Sequence, residues 1–343
     1  MLNLRRVLFS IGVLVSSELV FTQDLRCEQA RSPLSRRVEK LIGSSPAVRR
    51  GRIGYKVVDV ETGKLLAQRD AASFFTPASN TKLYTTALAL VRLGPNYKFQ
   101  TELRTSGVWI AAQTKIHDLE LVGGGDPNLS GRILPYAADS KAGDPLAALE
   151  DLTDQLLNAG IREIDGDVTG VATRYAGDLY PDGWTIDDAI YSYGAPVTSL
   201  AVNDETISIA VRPTDTGELA ELQVRPAVGD LIILNEVVTD GSKTTQVHIS
   251  RPPGSNELVL SGTIGKNADL WRLDVAVNDP ALFAAEALIH ILRERGVEVR
   301  GVARAQYGNV DDPETSLHQK RPAMATGATL DVRESVPLWE AVQ

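Results

Sequence analysis

The sequence contains very few cysteines and histidines. Its single cysteine, Cys27, excludes any intramolecular disulfide and any cysteine-rich metal cluster. The four histidines, His117, His248, His290 and His318, do not have the spacing of metal ligands. We therefore expect neither a catalytic metal nor another cofactor. The chain also lacks an excess of basic residues, since its formal net charge is -9, and this argues against nucleic acid as a partner.

No apolar run in the chain is long enough to cross a bilayer as a helix. The nearest approach is residues 7–15, which follow Arg5 and Arg6 in the manner of an export signal. We therefore expect a signal segment over residues 1–23, export to the periplasm, and no membrane span after the leader is removed. The stretch SSELVFTQ has no clear cleavage site, so an uncleaved anchor remains an alternative.

The overall composition is that of a folded globular protein. Hydrophobic residues make up 43% and charged residues 23% of the 343 positions, which leaves room for two or three domains and argues against disorder. Residues 32–42 have helical apolar spacing and begin on Ser32, while residues 52–59 and 64–69 predict a hairpin. The N-terminal part is therefore mixed α/β.

From about Tyr97 the sequence changes to short strand-like runs separated by turns. Two helices are predicted within this β-rich region, at residues 146–158 and 281–295, each followed by a glycine. The predicted strands are 99–106, 119–122, 168–171, 206–211, 231–237, 246–250 and 258–263.

The strongest chemical signal lies in TPASNTKLYTTALAL, residues 76–90, where Ser79 and Lys82 are three residues apart at the start of a helical pattern. This spacing brings the Lys82 amine within reach of the Ser79 hydroxyl. An alcohol needs a base to act as a nucleophile, and a lysine can serve if burial lowers its pKa by about 3 units. About one Ser-x-x-Lys match is expected by chance in a chain of this length, so the motif alone is weak evidence. Its position after a predicted hairpin and at the start of an apolar helix strengthens it. Gly94 and Pro95 are expected to end that helix.

Two other segments could be either binding sites or ordinary structural turns and loops. The stretch GGGDP at residues 123–127 lacks the helix start of a dinucleotide loop and the lysine of a phosphate loop, so we expect a tight turn that needs positive φ. Asp187 and Asp188 lie among Trp184, Tyr191 and Tyr193, and this tract either binds a cationic group or lines a solvated loop.

Several segments, taken in order, resemble the class C penicillin-binding proteins of the D-alanyl-D-alanine carboxypeptidase/endopeptidase type. The resemblance covers the chain from about Ser45 to its end. The matching segments are TPASNTKLYTTALAL, LVGGGDPNL, the Gly183-Trp184 to Asp188 stretch, YGAPVTSLAVNDETI and VNDPALFAAEALIHILRERGVEVRG.

The resemblance implies an α/β (α+β) fold, in which a transpeptidase/β-lactamase-like domain carries a large β-rich insertion after the Ser-x-x-Lys helix. The implied boundaries are 24–97 for the first part of that domain, 98–306 for an insertion of one or two subdomains, and 307–343 for the return into the domain. We expect the return segment to stop inside a helix that Ser335 caps, so that the transpeptidase-like domain is incomplete at the C-terminus.

The resemblance also implies roles for individual residues. Ser79 matches the acylated nucleophile and Lys82 its general base, acting on D-Ala-D-Ala termini or cross-links of peptidoglycan peptides, with β-lactams as covalent inhibitors. Asp188 falls where the family has an acidic residue for the free amino group of a diaminopimelate side chain. Tyr193 falls at a nearby aromatic position.

The sequence departs from the family pattern in one respect. The 343 residues contain neither the second motif, Ser-x-Asn, nor the third, Lys-Thr-Gly, of which Lys243-Thr244-Thr245 is only an approximation. Loss of one oxyanion donor costs about 3 to 4 kcal/mol of transition-state stabilisation, so we expect impaired or absent turnover from these residues alone. The alternatives are a serine peptidase whose sequence is cut short and a non-catalytic remnant that binds cell-wall peptides or partners. A β-lactamase shares the Ser-x-x-Lys chemistry but does not explain the β-rich insertion.

Overall fold

The computed structural model describes residues 32–107, 109–110, 113–134, 143–175, 177–308 and 327–342. The predicted signal segment, Cys27 and most of the predicted return segment lie outside the described residues. The chain divides into two compact units, Met1–Thr85 and Thr86–Gln343. None of the helices in the described part of the chain is both long and apolar enough to cross a membrane.

The first unit combines short helices with a hairpin. Its elements are α1 (Pro33–Ser44), α2 (Pro46–Arg49), β1 (Tyr55–Val58), β2 (Leu65–Arg69) and the beginning of α3 (Thr81–Leu93). Ser32 caps α1, because its hydroxyl oxygen accepts the Ser35 amide at 2.9 Å, and the same hydroxyl donates to the Leu66 carbonyl at 2.9 Å. Strands β1 and β2 pair antiparallel. The predicted helix and hairpin are confirmed.

Helix α3 has no buried side chain along its length. It ends at Gly94, whose amide donates to the Leu90 carbonyl at 3.1 Å and whose φ is +86°, a left-handed value that glycine adopts without strain. The predicted helix end is therefore confirmed. The apolar side chains that α3 exposes are Leu83, Tyr84, Leu88, Val91 and Leu93.

Among the described residues, the second unit contains several sheets, the remainder of α3 and three further α-helices. Its elements are β3 (Gln100–Ser106), β4 (Lys115–Ile116), β5 (Leu119–Val122), α4 (Ala147–Asn158), β6 (Glu163–Ile164), β7 (Val168–Ala172), β8 (Thr206–Arg212), β9 (Glu221–Arg225), β10 (Ile232–Asp240), β11 (Thr245–Ser250), β12 (Glu257–Gly265), β13 (Trp271–Ala276), α5 (Pro280–Glu294), β14 (Glu298–Val299), β15 (Ala303–Tyr307), β16 (Gly327–Glu334) and α6 (Leu338–Ala341).

A five-stranded mixed sheet has the order β15-β7-β5-β3-β16. Strand β7 pairs parallel with both β15 and β5, whereas β3 pairs antiparallel with both β5 and β16. Helix α5 packs on β7 and β15 and contacts α4, so the apolar faces of both helices are buried in the larger of two cores. The short strands β14, β6 and β4 form a parallel sheet beside this core.

The second core lies in the β-rich part of the unit. Strands β13, β8 and β9 form an antiparallel sheet, and β10, β12 and β11 form a mixed sheet in which β10 and β12 run parallel. Apolar side chains including Ile209, Leu258 and Leu260 are fully buried between them. The seven predicted strands and two predicted helices are confirmed, and the mixed α/β class is observed.

The glycine-rich stretch differs in part from its prediction. Only Gly125 has positive φ, at +86°. A Cβ atom on Gly123 would lie 2.3 Å from the Ser199 carbonyl oxygen, and one on Gly124 would lie 1.8 Å from that of Gln100. These two glycines are therefore required by close approach of another backbone segment, and not by their φ angles.

Ser335 does not cap the C-terminal helix, so that prediction was wrong. Helix α6 begins at Leu338, with Pro337 at the N-cap position. The Ser335 hydroxyl accepts the Phe99 amide at 2.9 Å and donates to the Val336 carbonyl at 2.7 Å. Its contact with a distant segment competes with the local capping role.

Candidate active site

Ser79 lies in a turn that leads directly into α3. The Ser79 carbonyl accepts the Lys82 amide at 3.0 Å, and the Ala78 carbonyl accepts the Thr81 amide at 3.0 Å. The Asn80 side-chain oxygen accepts the Ala78 amide at 2.9 Å, which closes the turn from the other side. Ser79 therefore precedes the first helical residue by two positions.

The same turn brings the two predicted reactive groups together. Lys82 Nζ donates to Ser79 Oγ at 3.3 Å. An ammonium group in this position acts as a hydrogen-bond donor, whereas a neutral amine would accept the hydroxyl proton and activate the oxygen for attack. Both side chains are exposed, so the described residues do not supply the burial that would favour the neutral amine.

Asp188 lies in a short 3₁₀ turn, Ile186–Ile190, in the second unit. Its carboxylate accepts hydrogen bonds from the Thr185 hydroxyl at 2.9 Å and the Tyr193 hydroxyl at 3.1 Å. Loss of hydration, and then the hydrogen bond and negative charge of Asp188, raise the pKa of Tyr193, which keeps the phenol a donor. Because a carboxylate has about four acceptor positions, Asp188 retains the capacity to accept hydrogen bonds from a ligand amine.

Two pairs of aromatic rings lie close to Asp188 in the sequence, and one of them includes its partner Tyr193. Tyr191 and Tyr193 are stacked, with ring centroids 5.5 Å apart and planes at 9°, and Tyr180 meets Trp184 edge to face at 6.3 Å. Tyr193 is 68% exposed, so the cluster lies at the protein surface. A carboxylate beside aromatic faces is a suitable environment for a cationic group.

The structure thus brings Ser79 to Lys82 and Asp188 to Tyr193. The first pair belongs to the unit that ends at Thr85 and the second pair to the other unit. Each pair forms from residues close in sequence, at separations of three and five positions.

Sequence reasoning missed two residues of the Asp188 region. Thr185 was not singled out, although a hydroxyl three residues before a carboxylate can donate to it within one turn of the chain. Arg251, which donates to the Ala189 carbonyl at 2.7 Å, is distant in sequence and carries no local signal beyond the Pro252-Pro253 pair that follows it.

Two histidines of the described residues lie near acidic side chains that are close to them in sequence. His117 Nε2 lies 3.9 Å from Asp118, and His290 Nε2 lies 3.4 Å from Glu294 on the next turn of α5. Across the described residues, no group of three or more histidine, cysteine or acidic side chains is arranged to hold a metal ion.

Comparison with known proteins places this architecture among penicillin-binding proteins. The model of the D-Ala-D-Ala carboxypeptidase 3 (S13) family matches residues 34–339. The chain is 31% identical over 264 residues to a D-alanyl-D-alanine carboxypeptidase of Actinomadura sp. (strain R39), covering 75% of this chain and 46% of the relative. It is 22% identical over 255 residues to the D-alanyl-D-alanine carboxypeptidase DacB of Haemophilus influenzae, covering 73% of this chain and 49% of that protein.

The fold is also similar to a solved structure. Penicillin binding protein 4 (dacB) from Haemophilus influenzae superposes with a TM-score of 0.63 at 19% identity, over 83% of this chain and 56% of that one. The match supports the penicillin-binding fold for the described architecture. The chain spans about half the length of the curated relatives it matches.

Proposed function

The chain belongs to the D-Ala-D-Ala carboxypeptidase 3 (S13) family, and from this membership we propose that it acts as a serine D-alanyl-D-alanine carboxypeptidase/endopeptidase on peptidoglycan stem peptides. The observation that carries the proposal is the 3.3 Å separation between Lys82 Nζ and Ser79 Oγ at the start of α3. This distance lies just beyond the range of about 2.6 to 3.2 Å for direct proton transfer, and such contacts commonly shorten when substrate binds.

In the proposed reaction, Ser79 Oγ attacks the carbonyl carbon of the penultimate D-alanine while neutral Lys82 accepts the hydroxyl proton. The peptide bond breaks, the amine of the terminal D-alanine takes up a proton and leaves, and an acyl-enzyme remains on Ser79. Water then hydrolyses this ester by the same acid-base route and releases the shortened peptide. A β-lactam ring would acylate Ser79 in the same way, without the second step.

The Asp188 region is the proposed subsite for the amine-bearing side chain of the stem peptide. Support comes from the carboxylate that Thr185 and Tyr193 hold in place, and from the neighbouring stacked rings. We assign residues 98–306 to the inserted region and the flanking segments, 24–97 and 307–343, to the transpeptidase-like domain. An exported, periplasmic protein is part of the same proposal, and mass spectrometry of the secreted form would test removal of residues 1–23.

A fluorescent penicillin tests the reaction directly. The folded chain should form a covalent adduct on Ser79, Ser79→Ala should abolish labelling, and Lys82→Met should slow it by about 100-fold or more, the usual contribution of a general base. Ser44→Ala and Lys40→Met are matched controls, because both side chains are exposed in the same unit, and they should label normally. Labelling that persists in Ser79→Ala would contradict the assignment.

Non-catalytic binding of cell-wall peptides is the second candidate function. The observation in its favour is that both Ser79 and Lys82 are exposed, whereas an active lysine base is favoured by burial. A folded chain that binds a D-Ala-D-Ala pentapeptide without penicillin labelling would support this second candidate over the first.

A further inference from the structure

Arg251 is a buried arginine directly after β11, with only 9% of its surface exposed. The two residues that follow it are Pro252 and Pro253. A residue before proline is restricted to extended backbone conformations, so the sequence itself limits the direction in which Arg251 leaves the strand. Burial of a guanidinium costs free energy unless its donors are satisfied.

The Arg251 guanidinium joins two separate segments of backbone. Its Nη1 donates to the Ala276 carbonyl at 2.5 Å, and its Nη2 donates to the Ala189 carbonyl at 2.7 Å. Ala276 is the last residue of β13, and Ala189 directly follows Asp188 in the 3₁₀ turn. Burial lowers the pKa of Arg251 from its ordinary value, yet an arginine stays protonated, so both contacts are charge-assisted hydrogen bonds.

The turn that carries Asp188 has other contacts, both local hydrogen bonds and the packing of Ile190 against the second core. The Asp188 carbonyl accepts the Tyr191 amide at 3.0 Å, and the Tyr191 carbonyl accepts the Gly194 amide at 2.9 Å. Tyr191 also forms a single antiparallel bridge with Val275 of β13. The Arg251 side chain therefore supplies a link between this turn and β13 from a third segment.

We propose that Arg251 is a positioning residue of the amine subsite, which holds the turn that carries Asp188 against β13 and so sets the preference for stem peptides with a free side-chain amine. This inference rests on the proposed function of Asp188. Arginine suits the role because its planar fork presents two donors at a fixed separation, whereas the single ammonium of lysine has no such fork. Arg251→Lys is therefore the informative variant, because it keeps the charge and removes the fork.

Hydrogen exchange tests the positioning role without reference to activity. In Arg251→Lys we expect the Tyr191 and Gly194 amides to exchange about tenfold faster, while the Ile209 amide in β8 keeps its wild-type rate. Arg272→Lys, at an exposed position on β13, is the matched control and should leave all three rates unchanged. Rates for Tyr191 and Gly194 within twofold of wild type in folded Arg251→Lys would overturn the positioning role.

Peptide binding by the full chain tests the specificity role. The two probes are a pentapeptide ending in D-Ala-D-Ala with a lysine at its third position and the same peptide acetylated on the lysine amine. We expect the wild type to favour the free amine by about fivefold, the effect of an exposed ion pair, and Arg251→Lys and Asp188→Asn each to remove that preference. Affinity for the acetylated peptide should not change.

A double variant separates this role from general loss of structure. In an Asp188→Asn background, Arg251→Lys should leave the affinity for both peptides unchanged, because Arg251 acts through that carboxylate. A loss of affinity for either peptide in that background would overturn the specificity role of Arg251. A wild type that does not distinguish the two peptides would overturn the proposed role of Asp188 and the specificity role together, while the exchange rates would still decide whether Arg251 holds the turn.

Discussion

Replacement of Glu205 by glutamine should change how the stability of the chain depends on pH. Glu205 is buried at the end of a turn in which Asn203, Asp204 and Glu205 all have φ between 51° and 59°. The Thr198 hydroxyl donates to its carboxyl group at 2.6 Å. Burial nevertheless raises the pKa of Glu205 from 4.5 to about 7, since the hydrogen bond from Thr198 offsets only part of the lost hydration.

The magnitude follows from the difference in proton affinity between the folded and unfolded states. A folded-state pKa of about 7 against 4.5 for the exposed group means that the folded protein holds this proton more tightly. The stabilisation is complete below pH 4.5 and is lost as the pH rises through 7. Between pH 5 and pH 8, the Glu205 contribution to the free energy of unfolding should fall by about 2.5 kcal/mol.

Urea unfolding of wild type and Glu205→Gln at pH 5, 6, 7 and 8 measures this contribution. Glutamine has a similar shape and does not titrate, so the difference in unfolding free energy between the two proteins isolates Glu205 from the other carboxylates. The difference should shift by about 2.5 kcal/mol in favour of Glu205→Gln from pH 5 to pH 8. Glu236→Gln, at an exposed position, is the control and should give a constant difference. A shift below about 1 kcal/mol for Glu205→Gln would refute the argument.

Two further changes test the close packing of the second unit. Arg333→Met removes the cation that lies 3.1 Å from buried Asp126, so the free energy of unfolding should fall by about 3 kcal/mol at pH 8. The loss should be smaller at pH 5, because protonation of Asp126 there relieves the unpaired carboxylate. Equal losses at both pH values would contradict this. Gly124→Ala places a methyl group 1.8 Å from the Gln100 carbonyl oxygen and should destabilise the fold by about 3 kcal/mol in thermal unfolding, whereas an unchanged melting temperature would show that the two segments separate easily.

The regular elements with a clear apolar period could be predicted from the sequence. Helix α5 buries one continuous apolar face and begins at an Asp-Pro pair, in which Asp279 caps the helix by accepting the Leu282 amide at 3.0 Å. Strand β5 matches its predicted bounds, and its alternate residues Leu119 and Leu121 are fully buried, as the period of a strand requires. In contrast, β9 alternates exposed and half-buried residues in the sequence ELQVR, and this weak pattern gave no strand prediction.

Contacts between distant segments could not be predicted in the same way. Gly124 resembles any turn glycine in sequence, and its requirement for a hydrogen side chain comes from Gln100 on a neighbouring segment. Ser335 has the local features of a helix cap, but the Phe99 amide, 236 positions away, takes its hydroxyl oxygen. In both cases a tertiary contact outweighs a local preference, and a single sequence carries no direct record of it.

The two candidate sites also differ in whether they depend on local or on distant contacts. The approach of Lys82 to Ser79 follows from one turn of chain, so the contact forms even though neither side chain is buried in the described residues. For the same reason, the contact alone does not measure reactivity, because a lysine becomes a base only when its surroundings favour the neutral amine. The rate of penicillin acylation reports that environment, whereas the distance between the two atoms does not. The Asp188 turn differs, because Arg251, which follows β11 and is distant in sequence, donates to its backbone. The amine preference proposed for Asp188 should therefore be sensitive to substitutions far from it in sequence.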